Sequence, residues 1–202
     1  MSYSQPEIDQ LLNTFFPPAQ RQSLRRLFGV PNEKGGAAGV GVVATEERSG
    51  LVRITRLAVN SLAQSVVNGT EYQSSVIYTF PAGPIHIMGA TASLAETTTT
   101  AIASTINSGV TVQYGVGTAA ASAATLATTM QNIVPVTAAL TSTVIDVAGA
   151  AVASAASTPL NIVTGGAVYL NSAFATTTDV DADGTIEWDG SIVIAWVYLG
   201  EV

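Results

Sequence analysis

Residues 185–200 constrain the fold more than any other stretch of the chain. Every residue from Ile192 to Leu199 is apolar, and most are β-branched or aromatic, which are the types that fit a pleated sheet better than a helix. A strand with one face in water alternates apolar and polar residues, whereas this one is apolar on both faces. The stretch therefore predicts a central strand covered on both sides, by a second sheet or by an identical neighbouring subunit.

The chain carries few charges for its length. Of its 202 residues, 48% are hydrophobic and 10% are charged, against a usual charged share of about 25%. Small hydroxyl and methyl side chains take their place in tracts 96–105, 118–129 and 148–157. Such side chains lose little entropy on ordering, and low-charge surfaces favour self-association. The composition predicts one domain with an appendage whose surfaces serve as interfaces; the alternative is an ordinary, weakly polar surface.

The charges are unevenly distributed along the chain. All seven basic residues lie in the first 56 positions, where five acidic residues leave a net charge of +2. The rest of the chain has nine acidic residues and no Lys or Arg, so it carries −9, and the net charge of the whole chain is −7. A basic segment on an acidic body suggests a partner for the basic segment.

The first 34 residues predict a helical arm. Apolar residues at helical spacing mark a short helix over 6–16, and two prolines separate it from a second helix over 19–28. The predicted contact residues of this arm are Ile8, Leu11, Leu12, Phe15, Phe16, Arg21, Arg25 and Arg26. So short a helical pair has too little core to stand alone, so we expect it to dock on the body or on another chain.

The remaining chain predicts an all-β body over residues 51–202, joined to the arm by a flexible, glycine-rich linker over 35–50. Seven to nine short strands are expected, the first over 51–60 with Val52, Ile54, Leu57 and Val59 as buried positions. The stretch 123–134 fits either a helix or an extended chain. Strands of this length, separated by Gly, Pro, Asn and Ser turns, are typical of an antiparallel β-sandwich or jelly roll.

Several functional classes are excluded or disfavoured by the sequence. The chain has no cysteine, which excludes disulfides, thiolate catalysis and zinc–thiolate sites. The N-terminal residues do not have the pattern of a signal peptide, and the most apolar window, 136–156, contains too many polar residues for a membrane span. We therefore expect a soluble protein without cofactors.

The stretch DVDADG contains the strongest local motif, three carboxylates at alternating positions before a glycine. Asp179, Asp181 and Asp183 match the opening of a calcium loop, whose oxygen ligands converge on one hard cation. The twelfth position of such a loop requires a bidentate Glu, but Gly190 stands there. A solvated acidic turn without metal is the competing interpretation.

Other chemically active side chains do not form a convincing site. His86 is the only histidine and is expected to be structural. Glu187 and Asp189 could imitate the carboxylate pair of a glycosidase, but acidic hairpins commonly hold such pairs in solvent. The arginines of the arm lack interleaved aromatic residues and belong to an acidic chain, which disfavours nucleic-acid binding. The sequence thus predicts a protein that is not an enzyme.

Three stretches of the body are similar to a known class of protein: FPAGPIHIMGATASL (80–94), VTVQYGVGTAAA (110–121) and DVDADGTIEWDGSIVIAWVYLG (179–200). They resemble the small β-rich proteins that decorate or cement the capsids of tailed, podovirus-like bacteriophages. Such proteins form trimers at local threefold positions and stabilise the shell against internal DNA pressure. The resemblance implies a homotrimer on the capsid exterior that binds the major capsid protein and is made in the host cytoplasm. The arm has no clear counterpart in it.

The leading hypothesis is therefore a capsid cement or decoration protein with an oligomeric body, whose N-terminal residues clamp it to the lattice. One alternative is a head-fibre or tail module that binds host glycans, which requires a pocket with exposed Trp or Tyr. A second alternative is a carbohydrate-active enzyme, for which a catalytic pair is hard to find.

Overall fold

The computed structural model describes residues 35–49, 51–98, 110–142, 152–153, 160–162, 166–174 and 183–199. The predicted helical arm lies outside these residues. Every regular element they form is a strand, apart from one 3₁₀ turn at Thr128–Met130. The strands are β1 (Ala37–Ala38), β2 (Val42–Ser49), β3 (Val52–Val66), β4 (Tyr72–Thr79), β5 (Ile85–Thr98), β6 (Val110–Gly117), β7 (Val134–Ser142), β8 (Val152–Ala153), β9 (Leu160–Ile162), β10 (Ala167–Phe174) and β11 (Gly184–Tyr198). The expectation of an all-β body is confirmed.

The strands form two antiparallel sheets. The five-stranded sheet has the order β1-β4-β10-β6-β7. The six-stranded sheet has the order β2-β3-β11-β5, after which β8 and β9 both pair with β5. The predicted central strand is confirmed, because β11 is hydrogen-bonded between β3 and β5 along most of its length.

One apolar cluster holds the inner faces of the two sheets together. Its largest members are Trp188, Trp196, Tyr78, Tyr114 and Phe174, all at most 1% exposed. The ring of Tyr114 meets that of Trp188 edge-on across the two sheets, with 5.5 Å between centroids. Such edge-to-face contacts add to the free energy gained by removing these large side chains from water.

The 35–50 segment differs from the predicted flexible linker. β1 pairs with the edge of β4, the chain then crosses to the other sheet at Gly39 to Gly41, and β2 forms eight residues of edge strand. A side chain at Gly39 would overlap the carbonyl of Val76, since its Cβ would lie 1.8 Å from that oxygen. The glycines therefore permit a close crossing between sheets.

The alternation of buried and exposed residues along β3 shows that part of the predicted core was wrong. Leu57 and Val59 are buried as expected, but Val52 and Ile54 point outward and are half-buried. The inward positions at this end of the strand are Arg53 and Thr55. The ambiguous stretch 123–134 is mainly a loop around the 3₁₀ turn, with Leu126 buried.

A β-bulge interrupts the pairing of β3 and β11 at Gly190, which has φ +137°. The carboxylate of Asp189 closes this bulge by accepting a hydrogen bond from the backbone N–H of Ser61, at 2.8 Å. A Cβ at Gly190 would lie 2.2 Å from the carbonyl oxygen of Ser93. Only glycine fits this position without moving the backbone of β5.

We predict that Gly190→Ala lowers the free energy of unfolding by about 3 kcal/mol, because it combines an unfavourable φ with a backbone clash. Gly89→Ala is the matched control, since a Cβ there has no neighbouring atom within 4 Å. It should change stability by less than about 0.5 kcal/mol. Urea unfolding of both variants measures the difference; equal stabilities would show that the backbone at Gly190 is not constrained as described.

Candidate assembly surface

A buried ion pair stabilises one end of the two-sheet body. Nη1 of Arg53, a residue only 4% exposed, lies 3.0 Å from Oε2 of Glu46. The other oxygen of Glu46 accepts hydrogen bonds from the Gly36 backbone N–H and from the Tyr78 hydroxyl. Both carboxylate oxygens are therefore engaged, which is the arrangement that compensates a buried charge.

The same cluster extends to an aromatic residue of β11. The guanidinium of Arg53 lies over the ring of Trp196, 5.0 Å from its centroid. The indole N–H of Trp196 donates to Oγ1 of Thr55 at 2.8 Å. These contacts connect the edge strand β2 to the centre of the six-stranded sheet.

A second buried polar group fixes the opposite end. Oε1 of Gln64 accepts hydrogen bonds from the Ser172 hydroxyl, at 2.5 Å, and from the Trp188 indole N–H, at 2.9 Å. Nε2 of Gln64 donates to the carbonyl of Leu170 at 3.0 Å. Because Ser172 and Leu170 belong to the five-stranded sheet, this side chain sets how the two sheets are aligned.

Part of the outer face of the five-stranded sheet, over β6 and β10, is covered by the chain itself. The connection between β6 and β7 folds over β10, where the Asn171 amide donates to the carbonyls of Ala119 and Met130. Its Oδ1 accepts a hydrogen bond from the N–H of Ala121. Leu126, in the same connection, is 3% exposed.

The outer face of the six-stranded sheet is more accessible. We define the outer patch as six apolar residues of β3, β5 and β11 that share one end of this face: Val52, Ile54, Met88, Val193, Ala195 and Val197. Met88 is 47% exposed and the other five are half-buried. Exposed apolar residues that form one contiguous patch are typical of interaction sites.

The register of the strands explains why these residues are adjacent. Val197 lies opposite Val52 on one side and His86 on the other, and Ala195 lies opposite Ile54 and Gly89. Met88 is the extra residue of a bulge between these two rows. At the edge of the patch, Nε of Arg56 lies 3.6 Å from Oε1 of Glu47, with both side chains more than half exposed.

The predicted site residues occupy different places. The eight contact residues of the arm, together with Asp179 and Asp181, lie outside the described part of the chain. Asp183 accepts a hydrogen bond from the Asn68 N–H at 2.8 Å, so its carboxylate closes a turn beside β3. Among the residues that the structure describes, three or more His, Asp or Glu side chains do not gather in a group that could hold a metal ion.

Two further observations bear on the alternative functions. Trp188 and Trp196 are both fully buried, so neither is available as a stacking platform for a glycan. Within the described ranges, the structure has no helix of the length and apolar character needed to cross a membrane.

Sequence comparison does not assign the chain to a group: no family model and no curated protein matches it. The sequence predicted part of the outer patch, because residues 192–199 are apolar on both faces of their strand. The buried Arg53 was missed, although it shares the alternation of Leu57 and Val59, because its charge favoured assignment to the surface.

We predict that Glu46→Gln lowers the free energy of unfolding by about 2 to 3 kcal/mol, since it removes the carboxylate charge that lies 3.0 Å from the buried Arg53 guanidinium. The matched control is Glu47→Gln, which breaks the exposed pair with Arg56 and should cost less than about 0.5 kcal/mol. Chemical denaturation at pH 7 compares the two. Similar losses in both variants would contradict the buried ion pair.

We predict that the buried Tyr78 hydroxyl makes the free energy of unfolding fall at alkaline pH. Burial, followed by the hydrogen bond to Glu46, raises the pKa of Tyr78 well above its ordinary value of about 10. Above pH 10 the unfolded chain loses this proton before the folded one does, so the free energy of unfolding falls as pH rises. Denaturation between pH 8 and pH 11 should show a shallower fall for Tyr78→Phe; the same slope in both proteins would contradict the assignment.

Proposed function

We propose that the protein is a virion structural protein, a cement or decoration protein on the exterior of a bacteriophage head. In this proposal its two sheets form an antiparallel sandwich that assembles as a homo-oligomer, and its N-terminal arm binds the major capsid protein. It carries out no catalysis, and it reaches the head after synthesis in the host cytoplasm.

The observation that best supports this proposal is the contrast between the two outer sheet faces. The connection between β6 and β7 covers the middle of one face, where it contacts Asn171 of β10, whereas apolar side chains such as Met88 are accessible over the middle of the other. A protein that acts by repeated contacts requires such a surface, whereas a monomeric enzyme has no use for it.

The polar groups inside the body support the same interpretation. The Arg53 and Gln64 clusters use their hydrogen-bonding capacity on neighbouring strands and on backbone carbonyls. Such contacts rigidify the two-sheet body, which suits a component that must resist mechanical load on a shell.

The uneven charge distribution supports different roles for the N-terminal arm and the body. The basic residues of the arm, Arg21, Arg25, Arg26 and Lys34, can approach an acidic capsid surface, while residues 57–202 carry −9. Charge complementarity of this kind speeds encounter and selects partners. In the proposal, residues 1–34 attach the protein to the shell and the body makes the contacts between copies.

Deletion of residues 1–34 should abolish binding to purified phage shells while leaving the body folded and associated. Co-sedimentation with shells measures occupancy, and circular dichroism checks the fold. Two full-length variants separate the contributions: Arg21, Arg25 and Arg26 changed together to Gln test the charge, and Leu11 and Phe15 changed together to Ser test the apolar contact. Unchanged occupancy after the deletion would overturn the role of the arm.

A further inference from the structure

We propose that Asn68 is a site of spontaneous deamidation, which converts this residue to aspartate and isoaspartate as the protein ages and loosens the turn that contains it. The turn joins β3 to β4, so the chain passes there from the six-stranded sheet to the five-stranded one. The inference goes beyond the proposed function and does not rest on it, because it concerns the chemistry of the turn alone.

The sequence singles out this position. Asn68 is followed by Gly69, and the chain has no second Asn–Gly pair. In deamidation the backbone nitrogen of the following residue attacks the amide carbon of the asparagine side chain, so a side chain on that residue hinders the approach. Glycine has no Cβ and leaves its nitrogen open to react. The reaction therefore meets the least steric hindrance at this pair.

The fold leaves the pair accessible. Asn68 and Gly69 are both exposed, and, chain neighbours aside, a Cβ built at Gly69 would have no atom within 4 Å. The N–H of Thr70 donates to the carbonyl of Val67 at 2.8 Å, which closes a tight turn with Asn68 and Gly69 at its centre. Gly69 has φ +74°, a conformation that glycine adopts without steric cost. The reacting atoms thus lie at the surface in a turn that little else crowds.

The reaction needs no co-reactant other than water. The backbone nitrogen of Gly69 gives up its proton and bonds to Cγ of Asn68, while the side-chain nitrogen leaves as ammonia and carries that proton away. The product is a five-membered succinimide ring. Water then opens the ring at one of its two carbonyl–nitrogen bonds. Cleavage at Cγ gives aspartate, and cleavage at the main-chain carbonyl gives isoaspartate, so both products carry a new carboxylate.

The new carboxylate arises beside one that the fold already uses. The backbone N–H of Asn68 donates to Oδ1 of Asp183 at 2.8 Å, which ties the turn to the start of β11. A second negative charge at this place repels Asp183. Isoaspartate also lengthens the backbone by one methylene. The crossing has no slack for it, because Val66 is buried at one end and the Phe174 N–H donates to the Glu71 carbonyl at the other, at 2.8 Å.

Asn60 is the matched control within the same chain. It is exposed like Asn68, and the residue after it, Ser61, also has a positive φ, of 46°. Ser61 differs from Gly69 in two respects: it has a Cβ, and its backbone N–H donates to Oδ1 of Asp189 at 2.8 Å. Both features hinder attack by this nitrogen, so Asn60 should convert at least tenfold more slowly than Asn68.

Peptide mapping of the aged full-length protein tests the proposal. The protein is incubated at pH 8 and 37 °C and sampled over several weeks, and mass spectrometry with electron-transfer fragmentation distinguishes asparagine, aspartate and isoaspartate at each position. Residue 68 should become a mixture of aspartate and isoaspartate while Asn60 keeps its amide. Asn68→Gln should accumulate much less of the acidic species on isoelectric focusing. An amide at residue 68 that persists as long as that of Asn60 would overturn the proposal.

Thermal unfolding tests the effect on the turn. Asn68→Asp adds the charge without lengthening the backbone, so its midpoint should lie between those of the fresh and the aged wild-type protein. Asn68→Gln should show no comparable fall on ageing, which separates this site from other damage. Aged protein that contains isoaspartate at residue 68 and unfolds at the same temperature as fresh protein would overturn the loosening of the turn.

Discussion

The structure depends on the pairing of β11 with β3 and β5. Thirteen residue pairs join it to each neighbour, and the bulge at Gly190 lets the ladder continue past an irregularity in β3. Its inward residues Trp188, Ile192, Ile194 and Trp196 form the centre of the apolar cluster. Because both indole N–H groups find buried acceptors, this strand also determines where polar side chains can lie inside the body.

Two buried polar clusters, around Arg53 and Gln64, help to fix the alignment of the two sheets. An apolar core alone tolerates sliding of one sheet over the other, whereas Gln64 can satisfy Trp188, Ser172 and Leu170 in only one alignment. Arg53 does the same at the other end through Glu46 and Trp196.

Sequence patterns predicted the β class and the central strand because eight successive apolar residues suit few other structures. They failed at Arg53 and at β2, where charged or glycine-rich residues are stabilised by tertiary contacts that local patterns do not encode. The outer patch was predicted in part: two apolar faces on β11 indicated a second covering surface. Its other members, Val52, Ile54 and Met88, became neighbours only through the register of β3 and β5.

The central claim is that the pairing of β11 with β3 and β5 forms the most stable part of the body. Hydrogen–deuterium exchange tests this claim directly, because backbone amides exchange most slowly where opening costs the most free energy. The account predicts that the amides of β11 exchange more slowly than those of the edge strand β2; amides of β11 that exchange as fast as those of β2 would contradict it.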